Sequence, residues 1–246
     1  LKLGAKKPAM PYADVRLLNV LQHTLWFLPN VASCYAMKNL LMQKQNTFYH
    51  DYTINVCAGT GAGIGAAALE PVQKSMRDPL ESKTITLSCG KLTTGVTVKP
   101  WTGIFMLRNL SSPETYFQAA FRVQSPWEIT TDGGKKEIVK QECYVFDFAP
   151  DRTLKVIAET AKISAKAGKT SGNDRKIMGE FLNFCPIISI EGSKMSQFDV
   201  PKMLEQLKRV YVERVVRNGF EDKSLYNDEL MKLNDLELQE LDDLNK

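Results

Sequence analysis

Residues 84–127 read TITLSCGKLTTGVTVKPWTGIFMLRNLSSPETYFQAAFRVQSPW, and the fold turns on this stretch. Residues 84–88, Thr-Ile-Thr-Leu-Ser, and 103–107, Gly-Ile-Phe-Met-Leu, read as strands separated by a polar turn rich in threonine and glycine. Pro113 then opens a helix, where its missing N–H does no harm. Gln118 and Arg122 lie four residues apart on it, so they share a face and could both point to the carboxyl edge of the sheet. Thr93, Thr94 and Gly95 follow the first strand with hydroxyls and backbone amides suited to phosphate oxygens. On the residues alone this is a candidate phosphate site and no more. A brace for the fold at Arg122, a plain turn at Thr94–Gly95 and a helix cap at Gln118 stay open.

The flanking chain repeats the same alternation. His23-Thr-Leu-Trp-Phe-Leu28, ended by Pro29, reads as a buried parallel strand. Asn30 caps a following helix with Val31, Cys34, Tyr35, Met37, Leu40 and Leu41 on one broad apolar face. Residues 52–58 form the next strand, 66–76 a helical stretch and 142–148 a last strand. Strands alternating with helices predict an α/β domain with a mostly parallel sheet flanked by helices, whose ligands sit at the carboxyl ends of the strands. After about residue 155 the composition shifts: 162–176 read as a mobile basic linker, 201–218 as a helix capped by Asp199, and the leucine-spaced tail 227–244 as an amphipathic helix.

Composition narrows the function classes. The chain has 246 residues, 43% of them hydrophobic and 24% charged, which is enough for a sizeable core and argues against general disorder. No apolar run reaches the roughly 18 residues of a membrane span. The start at Leu1, with no initiator Met and no leader-like segment, is what an excised piece of a cytoplasmic protein would show. Five scattered cysteines without a Cys-x-x-Cys, and only His23 and His50 as histidines, predict no disulfide framework, metal site or His-based triad. Of the net charge of +4, residues 221–246 carry −6, leaving +10 on the first 220, a balance that suits a polyanion such as DNA.

Two glycine motifs imitate nucleotide sites. Gly61-Ala-Gly-Ile-Gly-Ala66 fits a dinucleotide fingerprint, yet the next strand ends at Ser88-Cys89-Gly90 without the acid that binds ribose, and Pro71 should interrupt the helix that would face the pyrophosphate. Gly168-Lys169-Thr170 resembles the end of a P-loop, but Ile163 stands where the first glycine belongs. A surface loop and a basic loop are the better readings.

A resemblance sharpens the picture. Cys89-Gly90-Lys91-Leu92-Thr93-Thr94-Gly95-Val96-Thr97-Val98 resembles motif V of superfamily 2 helicases, and Gln118-Ala-Ala-Phe-Arg122-Val-Gln-Ser125 resembles their motif VI. The strand and helix at 23–41 are similar to motif IV, and the Gln-Ala flavour is nearest to motor subunits of restriction enzymes. Two departures stand out: Phe121 holds the usual glycine position and Ser125 the second arginine position.

The resemblance, covering about residues 20–155, implies a second RecA-like domain at 1–158 followed by a basic linker and helical extension at 159–246. It also implies an ATP-dependent DNA helicase or translocase from a restriction-modification or related enzyme. A nucleic-acid-binding module without motor activity is the alternative. Arg122 and Gln118 would be catalytic. Gly95, Thr97 and Arg122 would touch the nucleotide, and Thr93, Thr94 and Lys91 the DNA backbone. ATP and Mg²⁺ would be held mainly by a first RecA-like domain, the partner along with DNA, so this chain alone should not hydrolyse ATP.

Overall fold

Five short strands build one sheet. The computed structural model describes residues 10–60, 63, 66–92, 95–110, 112–131, 133–148, 156, 172–184, 187–191, 194–197, 199–207 and 209. Strands β1 (His23–Phe27), β2 (Thr53–Cys57), β3 (Thr84–Ser88), β4 (Gly103–Met106) and β7 (Tyr144–Asp147) pair in the order β2-β3-β1-β4-β7. All four pairings are parallel, so the fold is α/β with a parallel sheet. The central strand β1 is buried at every residue, as both faces of such a sheet are covered.

Alternation along the strands sorts the core into two layers. Leu25, Phe27, Ile104 and Met106 pack with α3 (Ala66–Ser75) and α4 (Pro113–Ala120) through Ala68, Val72, Tyr116 and Ala119. Trp26, Ile85, Leu87 and Phe105 pack on the other face with Cys34 and Leu41 of α2 (Val31–Leu41). The short helix α1 (Val15–Leu18) adds Leu17 to that second layer. Each such side chain, fully buried, contributes about 1.5–3 kcal/mol.

Local capping matches the sequence. The Asn30 side chain accepts from the Ser33 amide at 2.8 Å, and the Ser112 hydroxyl accepts from Thr115 ahead of Pro113. Three expectations are corrected. On α2 only Cys34 and Leu41 are buried; Val31, Tyr35 and Leu40 are exposed, because the helix rests on the sheet along a narrower stripe. Pro71 does not break α3, which runs through it, since burial of Ala68 and Val72 on either side outweighs the one hydrogen bond lost. The end of the expected basic linker is helical, because α5 (Gly172–Phe184) begins at 172 and buries Met178.

Two hairpins escaped the sequence reading. β5 (Glu128–Thr130) and β6 (Lys136–Ile138) are antiparallel, closed by a turn in which Gly134 adopts φ +75°. β8 (Ile188–Glu191) and β9 (Lys194–Gln197) form the second.

The chain divides into two compact units: Leu1–Thr160 with Pro186–Phe198, and Ala161–Cys185 with Asp199–Lys246. The first contains the five-stranded sheet. In the second, residues 200–207 are helical, Asp199 accepts from the Lys202 amide at 2.9 Å, and Met203, Leu204 and Leu207 are buried. The rest of the expected basic linker and the tail 227–244 lie outside the described residues. No helix among the described residues is long and apolar enough to cross a membrane.

Candidate functional site

The parallel strands end at one edge, and the loop from β3 to β4 crosses it. Its first turn is closed by the Ser88 hydroxyl donating to the Lys91 carbonyl. Leu92 takes φ +65°, a left-handed conformation costly for a residue with a branched side chain, and its burial at 4% exposure holds it there. Gly95 takes φ +68°, and a Cβ at that position would meet nothing within 4 Å. The glycine is therefore needed for backbone conformation and not for space. Thr93 and Thr94 lie outside the described residues, and Thr97 is exposed.

Cationic side chains hold this loop from several sides. Lys91 donates its ammonium to the carbonyls of Gly59, at 2.5 Å, and Gly63, tying the loop to the glycine turn after β2. Arg122 donates Nη1 to the Val96 carbonyl at 2.6 Å and Nε to the Gln118 carbonyl at 3.2 Å. Arg108, just beyond β4, donates Nη1 to the Cys89 carbonyl at 3.0 Å, and its guanidinium carbon lies 5.6 Å from the centre of the Phe27 ring. Lys140 donates to the carbonyls of Lys99, Trp101 and Val123 at 2.8–3.0 Å, and burial pulls its ammonium below the usual lysine range. Every one of these acceptors is a neutral carbonyl. The ion pairs among the described residues lie elsewhere, at Arg16–Asp14, Lys136–Glu128 and Arg209–Glu205.

Gln118 and Arg122 part company. Helix α4 ends at Ala120, and Arg122 sits in the 3-10 turn Phe121–Val123 that follows. Its side chain reaches the β3–β4 loop, whereas Gln118 donates to Glu114 at 3.0 Å on the exposed surface of the helix. The sequence reading missed Arg108 and Lys140. Arg108 stood directly after an apolar strand, at the edge where ligands of such sheets bind, and that position was the available signal.

Other reactive groups are committed to the core. Burial pushes the Cys34 thiol up to about 12 and the Cys57 thiol up to about 11, so neither is a thiolate nucleophile at neutral pH. Trp101 and Trp127 are buried and present no free stacking face. His23 has both ring nitrogens engaged, with Thr84 Oγ1 at 2.9 Å and the Pro79 carbonyl at 2.7 Å.

For the implied cofactor the donor set divides. Among the described residues no group of three His, Cys, Asp or Glu side chains could hold a metal ion. The guanidinium groups of Arg108 and Arg122, unpaired with carboxylates among the described residues, do fit phosphate oxygens.

No family model matches the chain. It is 31% identical over 195 residues to the C-terminal protein of a type II restriction enzyme and methyltransferase, RM.MpnORF110P, of Mycoplasma pneumoniae. The match covers 78% of this chain and 26% of that relative, so the chain spans about a quarter of the relative's length. Among solved structures it is similar to the C-terminal part of the Fun30 ATPase domain, at 9% identity and a TM-score of 0.36 over 80% of this chain and 49% of that one. It is also similar to S. cerevisiae Dbp5 bound to RNA and ADP-BeF3, at 12% identity and a TM-score of 0.28 over 85% of this chain and 46% of that one.

Proposed function

We propose that this chain is the second RecA-like motor domain of an ATP-driven DNA helicase or translocase within a restriction-modification enzyme. The observation that carries the reading is the bond from Arg122 to the Val96 carbonyl. It links the turn resembling motif VI to the loop resembling motif V. The likeness to a restriction enzyme and methyltransferase supports the choice of parent enzyme.

In this reading ATP, bound mainly by a first motor domain, supplies the phosphoanhydride whose cleavage drives movement. This chain's residues supply charge and coupling. Arg122 faces the charge that develops on the transferred phosphoryl group, where a preorganised cation lowers the barrier most. Because the same guanidinium holds Val96, a change at the phosphate is felt in the loop that grips the strand. Lys91 acts on that loop from the other side by fixing it to Gly59 and Gly63. Gly95 allows the loop its left-handed turn, and Gln118 steadies α4 through Glu114.

The test is hydrolysis measured twice. The isolated chain is expected to show none, and the intact parent enzyme is expected to show DNA-stimulated hydrolysis. An intact parent that binds DNA but never hydrolyses ATP would leave only the DNA-binding alternative. DNA binding by the chain itself should be weak and fall steeply with salt, as counterions are released from the backbone. Binding that ignores salt would defeat the electrostatic account.

A further inference from the structure

The sheet has a switch point between β1 and β4. These strands are neighbours, yet β1 connects outward to β2 on one side and β4 to β7 on the other. Their following helices cover opposite faces, α2 with the layer of Trp26 and α4 with the layer of Ile104. Diverging connections of this kind leave a crevice at the carboxyl edge, the general ligand position of open α/β sheets.

Arg108 lies at that crevice. Phe27 and Met106, the last residues of β1 and β4, are register partners, and the Leu107 amide donates to the Phe27 carbonyl at 3.0 Å. One residue further on, Arg108 reaches back over the Phe27 ring to the Cys89 carbonyl beyond β3. Its side chain thus spans the ends of three adjacent strands. Both contacts aim the guanidinium, and neither neutralises it. A single N–H is used on Cys89, which leaves most of the planar donor fork unspent. No carboxylate among the described residues forms an ion pair with it. A Cβ on Gly90, next to Cys89, would meet nothing within 4 Å among the described residues.

A half-buried cation held by an aromatic face and a carbonyl, at a switch point, fits an anion with paired oxygens. We propose that Arg108 is a phosphate-binding residue at this crevice. The proposal rests on the motor reading for the source of the phosphate, a nucleotide or a DNA strand. The two arginines hold one loop at separate points, Cys89 and Val96.

The experiment follows the Nε–H resonances of Arg108 and Arg122 in the ¹⁵N-labelled 246-residue chain, assigned by Arg→Lys variants, during titration with pyrophosphate, with ADP and with a short oligothymidylate. The Arg108 resonance is expected to shift saturably, with pyrophosphate and ADP if the source is a nucleotide or with the oligothymidylate if it is a strand. Arg108→Lys should weaken that binding about tenfold, since an ammonium lacks the bidentate fork. Phe27→Leu, which keeps the burial but removes the ring face, should weaken it roughly two- to fivefold. An Arg108 resonance that none of the three probes moves overturns the proposal, and so does unchanged affinity in a folded Arg108→Lys chain. If Arg108→Lys does not fold, the wild-type titration and Phe27→Leu decide. Arg108 responding while Arg122 stays silent upholds this site and leaves the finger, which acts in the transition state, to the turnover of the parent; Arg122 responding alone sinks this site.

Discussion

The aromatic layer beneath α2 and the carboxyl edge of the same sheet are held by different physics. In the first, Trp26 and Phe105 stack with ring centres 4.9 Å apart, and Tyr12 stacks on Phe105 at 5.6 Å. Their polar atoms are satisfied inside: the Tyr12 hydroxyl bonds Thr24 Oγ1 at 2.8 Å and Trp26 Nε1 donates to the same oxygen at 3.0 Å. Nothing is left for a ligand. At the edge, Lys91 and Arg108 donate to carbonyls beyond β2 and β3, and Arg122 and Lys140 hold the β3–β4 loop farther along in the same way, which satisfies direction but leaves the charge uncompensated. Neutral closure marks the scaffold, and uncompensated charge marks these loops. If the contrast is real, substitutions in the two regions should fail in different measurements.

The largest effect is expected from Arg122→Ala in the intact parent. Loss of an arginine finger costs about 10³–10⁵ in turnover. The loss should appear in kcat with KM changed only a few-fold, because the interaction forms in the transition state. Arg122→Lys should restore little. The lost bond to Val96 should cost at most about 1.5–3 kcal/mol, a melting shift of several degrees without unfolding. A folded alanine variant with normal turnover would remove the finger, and proportionate loss of stability, DNA binding and hydrolysis would make Arg122 a brace.

Trp26→Ala should do the converse. The side chain is fully buried among Tyr12, Tyr49 and Phe105, so the cavity should cost about 3–5 kcal/mol in urea denaturation. Phosphate titration of whatever fraction stays folded should be unchanged. If Trp26→Ala weakens phosphate binding in folded chain, the two regions are coupled and the contrast fails.

How much of this was legible beforehand follows from where the physics is local. Apolar runs such as Thr84–Ser88, and caps such as Asn30, are local signals, and they located the sheet and its helices. The hairpin β5–β6 was missed although Asp132-Gly133-Gly134 is a strong turn signal, because its strands are short and exposed and lack an apolar face. At the site, Arg122 could be picked out because a motif framed it. Lys140 could not, since its three carbonyl partners lie 17–41 residues away and no periodicity records them. Gln118 and Arg122 were expected on one face; the helix gives way to a 3-10 turn between them and the pair separates.

Lys140→Met sharpens the comparison at smaller scale. It keeps the length of the stem but strands three carbonyls, at an expected cost of about 1–3 kcal/mol. Because one of those carbonyls belongs to Val123, next to Arg122, turnover in the parent should fall further than the stability loss alone explains. A variant whose turnover tracks only its folded fraction would make Lys140 part of the scaffold.

The smallest expected effect is a pH dependence that belongs to the scaffold alone. His23 begins the central strand, and burial holds its imidazole below its ordinary value of 6.5, opposed in part by the hydrogen bond to the Pro79 carbonyl. Folding therefore favours the neutral ring. A group whose folded value is depressed in this way binds its proton more readily when unfolded. Its contribution is complete above about pH 6.5 and is lost as pH falls toward the folded value, with a slope no steeper than about 1.4 kcal/mol per pH unit. The Asp14 carboxyl, lowered by its hydrogen bond from Arg16, behaves likewise only around and below its ordinary 3.8, so the two windows do not overlap. Urea midpoints should thus decline as pH falls below about 6.5 in the wild-type chain. In His23→Gln, which can still donate to Pro79, the decline should be largely absent. An equal decline in both chains would show that some other group titrates there. A decline that also tracked phosphate binding would mean that the scaffold and the charged edge are not the separate regions their contacts describe.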